Sequence, residues 1–270
     1  MAEISAKQVH ALRAKTDLAM MDCKKALVEA DGDEAKALEL LRKRFADKMT
    51  ERAEKETANG RIGVYGGPDG AAMIELRCET DFVATNSDFK ALADRLAHHA
   101  VKSGITEVEK FKASKVDGGQ TVQEILVDAF GKMKENLNLV RIVTLGGAGA
   151  AYVHHNGRIG TIITGTNPPG DAGRGICMHI ASAVTLSGLG RQDVDAKLVA
   201  EAREQAANEA KGQPEQILNK TVEGKMDRWF GERVLVEQPF VMDDKKTVGQ
   251  FAKENGFNIT SYLKYEVGAK

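Results

Sequence analysis

Net charge of one sign is the first thing this chain lacks. Its 38 Lys and Arg face 39 Asp and Glu over 270 residues, a formal charge of -1. Nucleic-acid binders show a basic surplus or patch, so the balance argues against direct nucleic-acid binding and against an RNA-associated factor. Aromatic residues are scarce, 5% with a single Trp, which suggests no base-stacking platform. Cys23, Cys78 and Cys177 are odd in number and far apart. They fit reduced thiols better than a disulfide framework, each as a small buried apolar residue. No apolar run approaches membrane-spanning length, and Met1 to Ser5 show neither a basic nor an apolar leader pattern, so a cytoplasmic protein without membrane partners is expected.

Catalytic patterns are also missing. There is no Cys-x-x-Cys, no His-Glu-x-x-His and no P-loop. His98-His99 and His154-His155 are adjacent pairs, and neighbouring side chains diverge by about 100° on a helix or point to opposite faces on a strand, so neither pair chelates a metal unaided. Gly63 to Gly70 is glycine-rich but has no P-loop lysine, which makes it a hairpin turn. A Cys23 or Cys78 nucleophile would need a base that the sequence does not place. No cofactor, no metal and no covalent chemistry are expected.

What is present is enough apolar content, 42%, to bury more than one core. Residues 1–46 read as three helices: Ser5 and Gln8 form a capping box with Ile4 and Val9 as a hydrophobic staple, and Asp31-Gly32 closes the second helix. Residues 47–59 are charged or small and read as a linker. Gly60-Arg61-Ile62-Gly63 returns as Gly157-Arg158-Ile159-Gly160, each opening a strand-like run that leads to an amphipathic helix. The second of these helices carries Ile176, Ile180 and Val184. The echo predicts two related α+β halves, 60–138 and 139–192 with 234–270. Asn156-Gly157 predicts a type I′ turn, and Thr121-Glu124 and Thr247-Gln250 predict two more capping boxes. Residues 193–233 carry two narrow apolar stripes around Gly212-Gln213-Pro214, the pattern of an inserted antiparallel helical hairpin that protrudes.

The chain is organised around Cys78-Glu79-Thr80-Asp81-Phe82-Val83, where a strand-like alternation of Ile74, Leu76 and Cys78 with Glu75, Arg77 and Glu79 turns into a helix led by Phe89, Leu92 and Leu96. Two readings follow from residue types. Thr80 or Asp81 caps a helical turn while Phe82 and Val83 plug the core, or the junction is a functional surface held by rigid elements on both sides.

The string Glu-Thr-Asp-Phe-Val-Ala, together with Met20-Met21-Asp22-Cys23-Lys24-Lys25-Ala26-Leu27, Glu237-Gln238-Pro239-Phe240-Val241, Thr247-Val248-Gly249-Gln250 and Tyr265-Glu266-Val267-Gly268, resembles the bacterial elongation factor Ts family in order and spacing. The resemblance implies a guanine-nucleotide exchange factor without covalent chemistry, whose partner is the GTPase elongation factor Tu. It implies a ubiquitin-associated (UBA-like) fold for the N-terminal module and a coiled-coil arm. It makes Thr80, Asp81, Phe82 and Val83 the element that dislocates Mg²⁺ from the partner. Arg13, Met20, Met21, Lys24, His155 (or His154), Val241 and Met242 become partner contacts. Two departures stand out: Asp17-Leu18-Ala19 replaces family glycines after Thr16, predicting a less tight turn, and Lys134 replaces a glycine beside Met133. The competing function is a non-catalytic interaction scaffold built on the N-terminal helices, and, taken by residue type, Met20 or Met21 reads as core filler.

Overall fold

The computed structural model describes residues 4–117, 119–212 and 214–269. It opens with α1 (Ala6–Thr16), α2 (Met20–Glu29) and α3 (Glu34–Glu51). Local chemistry sets where these begin. The Gln8 amide donates to Ser5 Oγ while Gln8 Oε1 accepts the Ser5 amide, and Asp33 accepts from the Lys36 amide. Asp17 ends α1 in the left-handed region at φ 57°, donating its amide to Arg13 O at 2.7 Å. The turn therefore closes as tightly as a glycine would close it, at a backbone cost of about 1 kcal/mol. Leu18 is buried immediately afterwards. The third helix runs to Glu51, five residues into the stretch expected as linker.

The chain continues as β1 (Asn59–Gly67), β2 (Gly70–Cys78), the short α4 (Asp81–Thr85), α5 (Ser87–Ser103), α6 (Val108–Ala113), α7 (Val122–Met133) and β3 (Asn138–Gly146). After these come β4 (Gly149–Val153), β5 (Ile159–Gly165), α8 (Gly170–Ser182), α9 (Ala196–Glu209), α10 (Glu215–Arg233), β6 (Pro239–Phe240), β7 (Asp243–Thr247), α11 (Val248–Glu254) and β8 (Ile259–Glu266). The architecture is mixed α+β. The sheets are antiparallel, in the orders β1-β2-β3, β4-β5-β8 and β6-β7. Strand β3 pairs with β2, so the first sheet extends to Gly146 and takes in residues that the sequence pattern assigns to the second half.

The alternation in β2 predicts one buried face, yet both are covered. Ile74, Leu76 and Cys78 pack under α5 and α7, while Ala71 and Met73 meet Ile162 and Val267 of the second sheet. The repeated Gly-Arg-Ile-Gly segments lie at this junction: the Ile62 amide donates to Gly157 O at 2.9 Å, and a Cβ on Gly160 would stand 2.3 Å from Ile62 Cγ2. Glu75 is consequently fully buried rather than outward-facing. Its carboxylate accepts from Arg77 Nε at 2.6 Å, Arg141 Nε at 2.7 Å and the Gly268 amide at 3.1 Å, tying the C-terminal segment to the first sheet.

The turn between β4 and β5 also differs from expectation. The Gly157 amide donates to His154 O at 2.8 Å, and of the two residues Asn156 and Gly157 only Gly157 has positive φ, at 74°. A type I′ turn needs positive φ at both central residues; here the His154 amide donates to Ile159 O at 2.8 Å, which leaves a wider loop of 155–158. Val184 falls just past α8 and is exposed, whereas Ile176 and Ile180 are buried. Helices α9 and α10 pack on each other through Ala206, Ala210, Val222, Met226 and Phe230. Their flanks are stitched where the Leu235 amide donates to Gly188 O at 3.0 Å and the Ser187 amide to Arg233 O at 2.9 Å, so the chain returns to the place it left. Among the described residues no helix is long and apolar enough to cross a membrane.

Replacing Glu75 with Ala leaves two half-buried guanidinium groups, Arg77 and Arg141, without their shared carboxylate and is expected to cost roughly 2–3 kcal/mol. Urea unfolding checks this, and a loss below about 1 kcal/mol would show that the ion cluster does not hold the sheets together.

Candidate protein-interaction site

The junction after β2 is a clamped turn. Thr80 is the N-cap of α4, its Oγ1 accepting the Val83 amide at 3.4 Å. Glu135, just past α7, takes three hydrogen bonds from the same turn: the Glu79 amide at 3.1 Å, the Thr80 amide at 3.0 Å and the Thr80 hydroxyl at 2.5 Å. The Glu79 side chain points the other way, receiving Arg52 through Nε at 2.5 Å and Nη2 at 2.8 Å, and the Asn136 amide at 2.6 Å. The Arg52 guanidinium holds the Glu79 carboxyl below the usual carboxylate range. The Cys78 thiol donates to Thr80 O at 3.2 Å. Asn86 then caps α5.

The clamp has one conspicuous product: Phe82 is 83% exposed. The alternative that placed it in the core is overturned. Five residues of α4 cannot turn Asp81, Phe82 and Val83 all inward, and only Val83 and Ala84 reach the core under α5. Phe82 is thus a large apolar side chain held in water on a turn tied down from three directions, an arrangement that costs free energy unless something covers it.

The same holds elsewhere. Met20, Met21, Val241 and Met242 are all exposed, so neither methionine of α2 fills the core. Arg13, on α1, and Lys24 are exposed too. Val28, one of the exposed residues that sequence reasoning missed, borders a shallow cleft on α2 with Met21 and Lys24; its spacing of seven residues from Met21 was the available signal.

The α2 residues and the clamped turn are organised by two neighbours at the end of α7. Lys134 adopts φ 59°, the conformation a glycine favours, and reaches the N-terminal helices: its Nζ donates to Asp22 Oδ2 at 3.2 Å and lies 4.1 Å from the Phe45 ring centroid. Glu135, the next residue, holds Thr80. One dipeptide therefore fixes the helix carrying Met20, Met21 and Lys24 and the turn carrying Phe82.

His155 and the Val241-Met242 pair stand on other elements. His154 turns toward Tyr152, with its Nδ1 3.1 Å from the hydroxyl, which leaves His155 as the exposed member. Val241 and Met242 sit between β6 and β7. The Val241 amide donates to His179 Nδ1 at 3.2 Å, so the His179 proton is on Nε2, facing Gln238 Oε1 at 2.8 Å. Burial pushes the His179 pKa down.

Nothing here resembles a reaction centre. Burial pushes the Cys78 and Cys177 thiols up to about 12, so neither is a thiolate nucleophile at neutral pH. Among the described residues no three His, Cys, Asp or Glu side chains converge as a metal site would require. Exposed apolar side chains of this kind suit contact with another protein rather than chemistry.

Comparison with known proteins fits that surface. Residues 79–269 match the family model for elongation factor TS. The chain belongs to the elongation factor Ts family. It is 40% identical to elongation factor Ts of Azoarcus sp. (strain BH72), over 99% of this chain and 92% of the relative. It is 39% identical to elongation factor Ts of Burkholderia thailandensis, over 99% of this chain and 92% of that protein. The identity to elongation factor Ts of Mycobacterium ulcerans is 39%, over 99% of both chains. Elongation factors Ts are nucleotide-exchange factors, not catalysts of covalent chemistry.

A pH dependence follows from His179. The unfolded chain takes up the imidazole proton near pH ~6.5 and the folded chain only at lower pH. Stability is therefore constant above that value and falls as pH drops through it, because the protonated ring can no longer accept from Val241. The urea midpoint is expected to be lower at about pH 5.5 than at about pH 7.5, with a shallower fall in His179→Gln. His99, shifted downward by burial in the same way, supplies the residual slope.

Proposed function

We propose that this chain promotes release of GDP from elongation factor Tu, with the turn from Thr80 to Val83 as the intruding element that dislocates the partner's Mg²⁺. The observation that carries this reading is Phe82, 83% exposed on a turn held by Glu135 and Arg52. A GTPase holds its nucleotide through a phosphate loop and a Mg²⁺ bridging phosphate oxygens and side-chain hydroxyls. Asp81 brings an anion toward that metal's water shell, and Phe82 entering between packed elements shifts them, since close-packed interiors relocate rather than compress. Thr80 and Val83 are the anchors, one capping the helix and the other seated on the core.

The remaining contacts are Arg13, Met20, Met21 and Lys24 at one end and His155, Val241 and Met242 at the other. They give binding energy that does not depend on nucleotide, so the complex survives while the nucleotide leaves. Reciprocity governs the outcome: whatever factor this protein takes from the GTPase's GDP affinity, GDP takes from the GTPase's affinity for this protein. The direction of exchange comes from the nucleotide pool.

The domain plan that goes with this function is a UBA-like module at 1–46, a linker at 47–59, two related core halves and a protruding helical hairpin at 193–233. The pairing of β3 with β2 supports moving the boundary between the halves from 138 to about Gly146. A cytoplasmic setting without nucleic-acid or membrane contact goes with the same plan.

Stopped-flow release of a fluorescent GDP from elongation factor Tu tests the proposal. Wild type is expected to speed release by orders of magnitude, and Asp81→Ala/Phe82→Ala to lose at least about tenfold of that effect while still binding, a transition-state deficit of about 1.4 kcal/mol or more. If the wild type binds yet leaves release unchanged, the protein is a scaffold on its N-terminal helices.

A further inference from the structure

Away from the clamped turn, a cleft of about 600 Å³ opens between the two three-stranded sheets, bounded by β1, α5, the β4–β5 turn and α8. Its charge differs from that of the chain. Arg61, Lys90, Arg95 and Arg174 line it against a single carboxylate, Asp94, in a protein whose formal charge is -1. Asp94 offsets only part of this charge: its Oδ1 accepts the Val64 amide at 3.3 Å, and burial pushes its pKa up despite the pull of Arg61 and Lys90.

Arg61 is the decisive residue. It is only 9% exposed, and its Nε is buried without any hydrogen-bond partner among the described residues. Even the half-buried guanidinium groups of Arg77 and Arg141 are paired, both with Glu75, as burial of a charge requires. Desolvation pushes the Arg61 pKa down, with the nearby Asp94 carboxylate opposing the shift. The opposite walls are aromatic. Tyr65 stacks on His98 with ring centroids 4.3 Å apart, and Arg174 lies 5.3 Å from the Tyr152 ring centroid.

We infer that this cleft binds a small phosphate-bearing molecule of mononucleotide size, its phosphate held by Arg61, Lys90 and Arg174 and its remainder lying against Tyr65 and Tyr152. Guanidinium forks match phosphate oxygens, the volume falls within the range of small-molecule sites, and the flat rings offer a stacking wall. A nucleotide and free inorganic phosphate offer the same recognition chemistry. The inference does not rest on the exchange reading: no residue of the Thr80 to Val83 turn lines the cleft, and of the proposed partner contacts only His155 does.

Isothermal titration of the full chain with AMP and, separately, with inorganic phosphate tests it. One-to-one binding of either probe is expected, weakened about tenfold or more in Lys90→Ala/Arg174→Ala, whose side chains are exposed and make no ion pair among the described residues. Tighter binding of AMP identifies a nucleotide as the source, and equal binding identifies the phosphate group alone. Substituting Arg61 by Gln should abolish binding; because that change also touches the sheet junction, the exposed double variant is the deciding one. Absence of binding by both probes, or unchanged binding in the double variant, would overturn the site.

Discussion

The grip of Glu135 on the Glu79 and Thr80 amides and on the Thr80 hydroxyl is the contact on which the interaction surface depends. A five-residue helix has no stability of its own, because nucleation costs more than one turn returns. Here α4 persists because Thr80 and Asn86 cap its two ends, Glu135 holds Thr80 from a distance and Val83 is seated on the core. The helix can then hold a phenylalanine in water, a state that a free loop would escape by folding the ring inward.

The same economy extends outward from α7. Lys134 and Glu135 are adjacent, and one fixes the N-terminal helices through Asp22 and Phe45 while the other fixes the turn. A glycine at position 134 would satisfy the left-handed backbone with less strain but could not reach Asp22. The lysine therefore exchanges a small backbone cost for a link between two parts of the binding surface. Further along, Glu75 binds the C-terminal segment to the first sheet, and His179 seats the Val241-Met242 tip through a neutral ring. Phe82, the α2 methionines and the Val241-Met242 tip each hang on a polar contact made by a residue distant in sequence.

That distance explains what was legible in the sequence. The capping boxes at Ser5, Thr121 and Thr247, the amphipathic face of α5 and the paired helices around residue 212 were readable because their partners stand three or four positions away. The Glu135 contact spans more than fifty residues and left no local pattern. Glu75 looked like an outward residue on an alternating strand because the second sheet that covers it comes from the far end of the chain. Residue type alone favoured a buried Phe82 and a buried methionine on α2; the motif resemblance picked the exposed alternative. The place of β3 was missed because its periodicity gives a strand but not the neighbour it pairs with. Asn156-Gly157 suggested a tight hairpin, whereas the observed turn spreads over His154 to Gly157.

Phe82 is proposed to act on the GTPase because the turn beneath it is held. The most direct measurement is the rate of GDP release from elongation factor Tu stimulated by Glu135→Ala, a variant that keeps Thr80 to Val83 intact, with its fold checked by circular dichroism. The account predicts a folded protein whose stimulation falls by at least about tenfold, equivalent to roughly 1.4 kcal/mol of lost preorganisation. A folded variant that stimulates release as well as wild type would contradict it, and would place the activity in the side chains of the turn regardless of how they are held.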